Sequence, residues 1–196
     1  DIFEHIDEKP AAEYLDEMDV RKAAKILSSM ETDAVIDVLK MIPKEKRALL
    51  IELTDADTRE DIAVIASFDD EEIGSRMTTN FIMIRENLTV KQAMSSLVEQ
   101  AAKNDNISTI YVVDEQDKYY GAIDLKDLIV ARDTDTLESI ISRSYPYLLD
   151  NEKTDDCVDR IKEYAEDSLP VLTQEGKIAG IITSSDVVEM VDDAMG

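Results

Sequence analysis

Groups for thiol, imidazole or redox chemistry are scarce in this chain. It has one cysteine (Cys157), one histidine (His5), no tryptophan, 3 phenylalanines, 5 glycines and 4 prolines in 196 residues. A single cysteine leaves no internal disulfide, which suits a reducing cytosol. A single histidine gives little scope for histidine zinc ligation or histidine-based catalysis. The longest apolar run, from Ile62 to Ala66, falls far short of the roughly 18 residues that cross a bilayer as a helix. Nothing reads as a signal peptide, and the start at Asp1 without a methionine suits a fragment of a longer chain. Basic residues are also few: 21 Lys and Arg stand against 45 Asp and Glu, a formal charge of −24. Phosphate binding needs concentrated Lys and Arg, so no nucleic-acid partner is expected.

Hydrophobic residues make up 44% of the chain and charged residues 34%, as expected of a folded, soluble protein of one or two domains. The negative charge is spread evenly. Residues 1–76 carry 10 basic and 21 acidic residues, and residues 77–196 carry 11 and 24. Such a surface keeps a protein soluble, and it also favours cations as partners. Two strongly negative parts of one chain repel unless something neutralises them.

Residues 1–76 read as helical throughout. Apolar residues recur as Ala11-Ala12-Tyr14-Leu15-Met18, Ala23-Ala24-Ile26-Leu27-Met30, Val35-Ile36-Val38-Leu39-Ile42 and Ala48-Leu49-Leu50-Leu53, each block about 12 residues after the last. Spacing at i, i+3, i+4 marks one buried face per helix. Asp19, Thr32 and either Thr54 or Asp55 suit N-caps, and Pro43 suits a first helical turn. Helices this short bury little alone, so they are expected to stack into a small superhelical bundle.

The rest of the chain contains one segment written twice. Residues 111–127, YVVDEQDKYYGAIDLKD, align without a gap to 170–186, PVLTQEGKIAGIITSSD, at an offset of 59. Val112 matches Val171, Lys118 matches Lys177, Gly121 matches Gly180 and Asp127 matches Asp186. Each copy reads as strand, turn, strand and acid-capped helix start, a duplicated structural unit. Ahead of each lies a further short strand (81–84 and 147–149) and a helix starting near Thr89 or Thr154, with six more residues before the next strand in the first copy. The segment 68–79, FDDEEIGSRMTT, joins the helical part to this pair and reads as a short acidic helix ended by Gly74.

The β-α-β-β-α unit ending in G-h-h-[T/S]-x-x-D resembles the CBS domain, a module that occurs in pairs. Gly180-Ile-Ile-Thr-Ser-Ser-Asp186 fits that ending fully, and Gly121-Ala-Ile-Asp-Leu-Lys-Asp127 fits except that Asp124 replaces the hydroxyl residue. The order of acidic helical repeats, Gly74-Ser-Arg-Met-Thr-Thr79 junction and CBS pair further resembles the cytosolic part of MgtE-type magnesium transporters over nearly the whole chain. The resemblance implies an α + α/β fold: a superhelical N-terminal domain at 1–76, a first CBS domain at 77–136, and at 137–196 a second CBS domain with the start of a connecting helix. It also implies a homodimer, paired through the helices at 125–131 and 185–193 where Leu128, Ile129, Val188 and Val191 read as exposed-edge apolar residues, a membrane domain elsewhere in the same full-length protein, and a place on the cytoplasmic face of the membrane.

Magnesium takes oxygen ligands, often one or two carboxylates with several retained waters, so its ligands need no tight motif. On a helix from Ser185 onward, Asp186, Glu189 and Asp193 fall within roughly 60° of one another, opposite an apolar stripe. That is an amphipathic helix as it stands; the resemblance adds metal-facing acids there, Asp192 among them. Asp33 and Asp37 form an i, i+4 pair where the family's N domain has such acids, and Asp155, Asp156, Glu166 and Asp167 are further candidates. The family often has an acid after the helix tyrosine of the second copy; here Ala165 follows Tyr164. The CBS pair also implies a cleft for ATP or another adenine nucleotide. Thr183, Asp186 and Asp127 are its candidate contacts, and capping of the following helices is the alternative role for the two aspartates.

No cofactor loop, activated nucleophile or acid/base pair stands out, so an enzyme is not expected. Three functions fit these residues. The first is a magnesium-sensing region that closes as ions bind between its acidic domains and so gates a membrane pore. The others are an adenine-nucleotide-sensing CBS module and a protein-interaction scaffold dimerised by its CBS domains.

Overall fold

The computed structural model describes residues 8–69, 71–164 and 166–195, without the side chains of 8, 9, 11, 16, 33, 44, 189 and 191–195. The chain divides into two units, residues 1–69 and 70–196. This division lies seven residues before the one read from the sequence.

Among the described residues the first unit has five helices: α1 (Glu8–Glu17), α2 (Val20–Leu27), α3 (Thr32–Met41), α4 (Lys44–Leu53) and α5 (Ala56–Ile65). Each begins 12 residues after the one before. α1 packs on α3 and α3 on α5, while α2 packs on α4, so each helix meets the one two places along. Ala23, Leu27, Val35, Leu39, Leu50 and Ile65 are among the residues buried between them. The helix starts follow elementary capping chemistry. Asp19 accepts from the amides of Arg21 (3.1 Å) and Lys22 (3.4 Å), and Asp55 from that of Thr58 (2.8 Å). The Thr58 amide holds the Asp55 carboxyl below the usual carboxylate range, against the opposing effect of burial. Two expected positions shift by one. Thr32 is the first helical residue and Glu31 takes the cap position, while Pro43 occupies the cap position itself.

The period also fixes how two helices end. The guanidinium of Arg47 donates to the carbonyls of Lys40 (2.9 Å) and Ile42 (3.0 Å) at the end of α3. Arg59, 12 residues later, does the same to Glu52 (3.2 Å) and Thr54 (2.9 Å) at the end of α4. The last carbonyls of a helix lack partners and carry its negative end, so a cation from the next repeat stabilises the turn.

The second unit holds two three-stranded sheets. In the first, β1 (Ile82–Arg85) runs parallel to β2 (Thr109–Val113), which pairs antiparallel with β3 (Tyr119–Asp124); α6 (Val90–Ala101) and α7 (Leu125–Val130) accompany it. In the second, β4 (Leu148–Leu149), β5 (Ser168–Leu172) and β6 (Ile178–Thr183) repeat the order, with α8 (Thr154–Glu163) and α9 (Ser184–Met195). The hairpin registers match at the offset of 59: Ile110 faces Ile123 as Leu169 faces Ile182, with the same irregularity after Val112 and Val171. The preceding strand and helix match at 64 instead, because Thr89 caps α6 and its counterpart is Lys153, ahead of Thr154. The first copy therefore has five additional residues between helix cap and strand rather than six.

The copies exchange edges. Ser142, on the way into the second copy, bridges Ala122 on β3; Thr78, on the way into the first, bridges Ile181 on β6. Both crossings need a residue without a side chain opposite. A Cβ on Gly121 would lie 2.6 Å from the Ser142 carbonyl oxygen, and one on Gly180 would lie 2.8 Å from the Met77 sulfur and the Thr78 carbonyl oxygen. The paired glycines of the repeat are thus fixed by close backbone approach.

Between the copies lies an aromatic cluster. The fully buried Tyr111 ring packs edge-on against Phe81 (6.0 Å) and Tyr145 (6.1 Å), and its hydroxyl meets the Ser168 hydroxyl at 2.5 Å. Tyr145 donates to the Ser168 carbonyl at 2.6 Å. Burial pushes the Tyr111 phenol far above its ordinary value and the Tyr145 phenol to about 12.

Candidate metal and nucleotide sites

The junction after the helical unit is a strap bound to the second copy of the repeat. From Glu71 to Thr78 it makes a run of backbone hydrogen bonds. The Glu71 carbonyl accepts from the amide (2.8 Å) and hydroxyl (3.1 Å) of Thr154, the first residue of α8. Ile73 donates to Glu152 (2.9 Å) and Gly74 to Asp150 (2.8 Å). Thr78 and Ile181 exchange two bonds of 2.9 Å, and Lys153 pairs with the Glu71 carboxylate at 3.4 Å. Ile73, Met77 and Thr78 are buried. The expected short helix is a single 3-10 turn at Ile73–Ser75, because the strap's amides are spent on its neighbour.

A cavity of about 190 Å³ opens beside this copy, between the last turn of α8, the start of β5, the end of β6 and the start of α9. Lys162, Tyr164, Glu166, Asp167 and Thr183 contribute its polar lining, and Ile161, Ile182 and Val187 are apolar walls. Lys162 is the one cation among the described lining residues, which include the acids Glu166 and Asp167, and its ammonium lies 3.9 Å from the carboxylate of Asp159, one turn back on α8. A nucleoside suits this mixture better than bare phosphates, which the carboxylates repel.

The candidate contacts divide here. Thr183 lines the cavity, but its amide (2.6 Å) and hydroxyl (2.8 Å) both donate to the Asp186 carboxylate. With the Asp186 amide donating back to the Thr183 hydroxyl at 3.4 Å, this forms a reciprocal cap at the start of α9. Asp186 thus takes part in the cap of α9, the alternative role the sequence offered it. In the first copy Asp124 takes that part, accepting from the Lys126 amide at 2.7 Å. Asp127 sits exposed in the first turn of α7 and is not the residue that caps it. The substitution of Asp for Thr in the first G-h-h-[T/S]-x-x-D segment thus preserves the cap by another route.

Of the metal candidates, Glu166 and Asp167 come together at the cavity. Asp155 and Asp156 lie exposed at the opposite end of α8, in its first turn, where the helix dipole already favours acids. Asp37 pairs with Lys40 at 3.1 Å. The side chains of Asp33, Glu189, Asp192 and Asp193 lie outside those described. Among the described residues no group of three or more His, Cys, Asp or Glu is arranged to hold a metal ion. Such an arrangement is not what magnesium requires, since the ion keeps several waters and needs few carboxylates. Cys157 is buried, and burial, with the nearby Glu152 charge, raises its thiol to about 11. That state is unsuited to metal ligation.

Sequence reasoning missed Lys162, Ser168 and the docking of the strap. Lys162 belongs to no motif. Ser168 gains its two tyrosine partners from segments 57 and 23 residues away. The strap's register is set by residues more than 70 positions downstream, at 150–154 and at Ile181.

Comparison with known proteins accounts for both units. Residues 1–71 match the MgtE intracellular N domain, and residues 71–133 and 137–193 each match the CBS domain. The magnesium transporter MgtE of Thermus thermophilus is 29% identical over 98% of this chain, and the chain covers 43% of that protein. A crystal structure of the soluble part of a magnesium transporter superposes with a TM-score of 0.93 at 31% identity, covering all of this chain and 77% of that one. A second, of the cytosolic domain of the Mg2+ channel MgtE in complex with ATP, gives 0.85 at 28% identity, covering 96% and 77%. The chain spans less than half the length of the curated magnesium transporters it matches.

Proposed function

The chain belongs to the MgtE family of magnesium transporters, of which it carries the N domain and the CBS pair, and we propose that it is the magnesium-sensing regulatory part of such a protein. One observation carries the reading: both units are strongly acidic. Residues 1–69 hold 9 basic and 18 acidic residues, and residues 70–196 hold 12 and 27, net charges of −9 and −15. Carboxylates a few ångströms apart repel by about 1–4 kcal/mol per pair, depending on the local dielectric. Divalent ions that neutralise them shift the population toward a compact form, because they bind that form better. Asp33 and Asp37 in the helical unit, with Asp155, Asp156, Glu166, Asp167 and the acids of α9 in the CBS unit, are the proposed donors. In the full-length protein, at the cytoplasmic face, α9 would pass the change to a membrane domain. Among the described residues no helix is long and apolar enough to cross a membrane.

The test is the radius of gyration across a magnesium titration at constant ionic strength. The expected result is a contraction that sodium does not reproduce, weakened by Asp33→Asn with Asp37→Asn. Equal responses to the two cations would end the reading.

Two further parts belong to it. The cavity near Thr183 takes the adenosine end of a nucleotide, supported by its lining and by the ATP complex of the related Mg2+ channel. Equilibrium dialysis with ATP and with adenosine checks this. The chain also pairs with a second copy through its CBS unit, where Ile129 (61% exposed), Val130 (66%) and Val188 (61%) present apolar surface. Leu128, expected at that face, is instead buried in the core of the first copy. A monomer by light scattering at tens of micromolar would remove the dimer.

A further inference from the structure

The strap and the cavity share their supports. Glu71 at one end of the strap holds Thr154, where α8 begins, and the same helix ends in Ile161 and Lys162 on the cavity wall. Thr78 at the other end holds Ile181, whose neighbours Ile182 and Thr183 form the facing wall. The strap therefore spans the two elements between which a ligand would sit, on the side of Thr154 and Gly180. Neither Glu71 nor Thr78 lines the cavity.

We infer that occupancy of this cavity is coupled to the docking of the Glu71–Thr78 strap, so that a bound nucleoside clamps the segment by which the helical unit joins the CBS pair. The inference rests on the proposal that the cavity takes the adenosine part of a nucleotide. Ligand contacts to α8 and to the end of β6 fix the spacing of these two elements, and the strap's hydrogen bonds are satisfied at one spacing only. Coupling of this kind is reciprocal: if the ligand stabilises the docked strap, loosening the strap weakens the ligand by the same factor. The coupling elements are named and contiguous, and each end has a hydrogen bond that reports on it.

The experiment uses the whole 196-residue chain with adenosine and ATP as probes. Binding is measured by equilibrium dialysis, and hydrogen exchange is followed with and without saturating probe. The amides of Ile73, Gly74 and Thr78 should exchange about fivefold more slowly or better in the bound protein. Gly180→Ala, which crowds Met77 and the Thr78 carbonyl, and Thr154→Val, which removes one bond to Glu71, should each weaken binding by a factor matching their loss of strap protection. If the probe binds and protects residues 161–169 while the strap amides are unchanged, the coupling is refuted and the nucleotide reading stands. The coupling is equally refuted if Gly180→Ala speeds strap exchange yet leaves affinity within about twofold. If neither probe binds, both fall together. The exchange measurement on the unmodified chain decides the matter even where a variant does not fold.

Discussion

The two CBS copies share a hairpin and differ most in the helices and turns attached to it. Their strand pairings agree position by position, down to the irregularity after Val112 and Val171. Yet α7 has 6 residues and α9 has 12. One helix is capped by Asp124 alone, the other by the reciprocal Thr183 and Asp186 pair. The turn that needs a left-handed residue uses Asp117 (φ 61°) in the first copy and Gly176 (φ 83°) in the second. The duplicated part is thus the part fixed by backbone geometry. The parts that lead elsewhere, to the strap, the cavity and the outgoing helix, belong to the second copy.

Substitutions at matched positions sharpen this contrast. The largest effect is expected at the crossing glycines. Gly121→Ala meets the fixed Ser142 backbone and should destabilise the CBS unit toward the upper end of about 1–3 kcal/mol. Gly180→Ala should cost less, since one of its neighbours is the flexible Met77 side chain. Denaturant titration ranks them, and equal costs would show that the two crossings are equally rigid.

Next comes the buried hydroxyl pair. Tyr111→Phe deprives the Ser168 hydroxyl of its partner and should cost about 1–2 kcal/mol. The position 59 residues on is Pro170, which has no hydroxyl, so this link has no equivalent in the other copy. The tyrosines also set an alkaline limit. Raised phenol values in the folded state favour the protonated form. Their stabilisation is complete below the unfolded value of about 10 and declines as the pH rises toward the folded value of about 12 for Tyr145. Thermal melts between about pH 9 and 11.5 should show falling stability, with a shallower fall in Tyr145→Phe.

Smaller effects are expected at the turns and caps. Gly176→Ala meets no neighbour and should cost about 1 kcal/mol through conformation alone. Asp124→Ala should cost about 1 kcal/mol by loss of the α7 cap. Thr183→Ala should cost a similar amount at α9, and a much larger loss there would mean that Thr183 supports more than its helix. Melting temperatures of the three variants make the comparison.

Much of this architecture is legible in the sequence. The 12-residue rhythm of the apolar blocks and the repeat at 59 arise from periodicity and turn chemistry, which act locally. The cap positions are legible to within one residue, as Thr32 and Pro43 illustrate. The features that escape depend on distant partners. Arg47 and Arg59 belong to no motif, and their part in ending α3 and α4 shows only once the carbonyls they bind are placed. Leu128 reads as an exposed edge residue because a six-residue helix gives too little periodicity to assign its faces. Of the candidate site, Thr183, Glu166 and Asp167 are visible in the sequence and Lys162 is not, since no spacing rule marks a single lysine on a cavity wall.

The exchanged edges impose an order on synthesis. Ala122 finds its partner Ser142 only 20 residues later, whereas Thr78 must wait for Ile181, 103 residues further along. A ribosome adding roughly 5–20 residues per second leaves the strap unpaired for several seconds at least after it emerges. During that time the helical unit is complete and the first sheet can close, but Met77 lacks the β6 surface at Gly180 that it packs against. The long-range closure of the strap is thus the natural last step of folding. A nascent chain halted before β6 should expose Met77, whose side chain meets Gly180 of that strand, to chaperones, and one released after it should not.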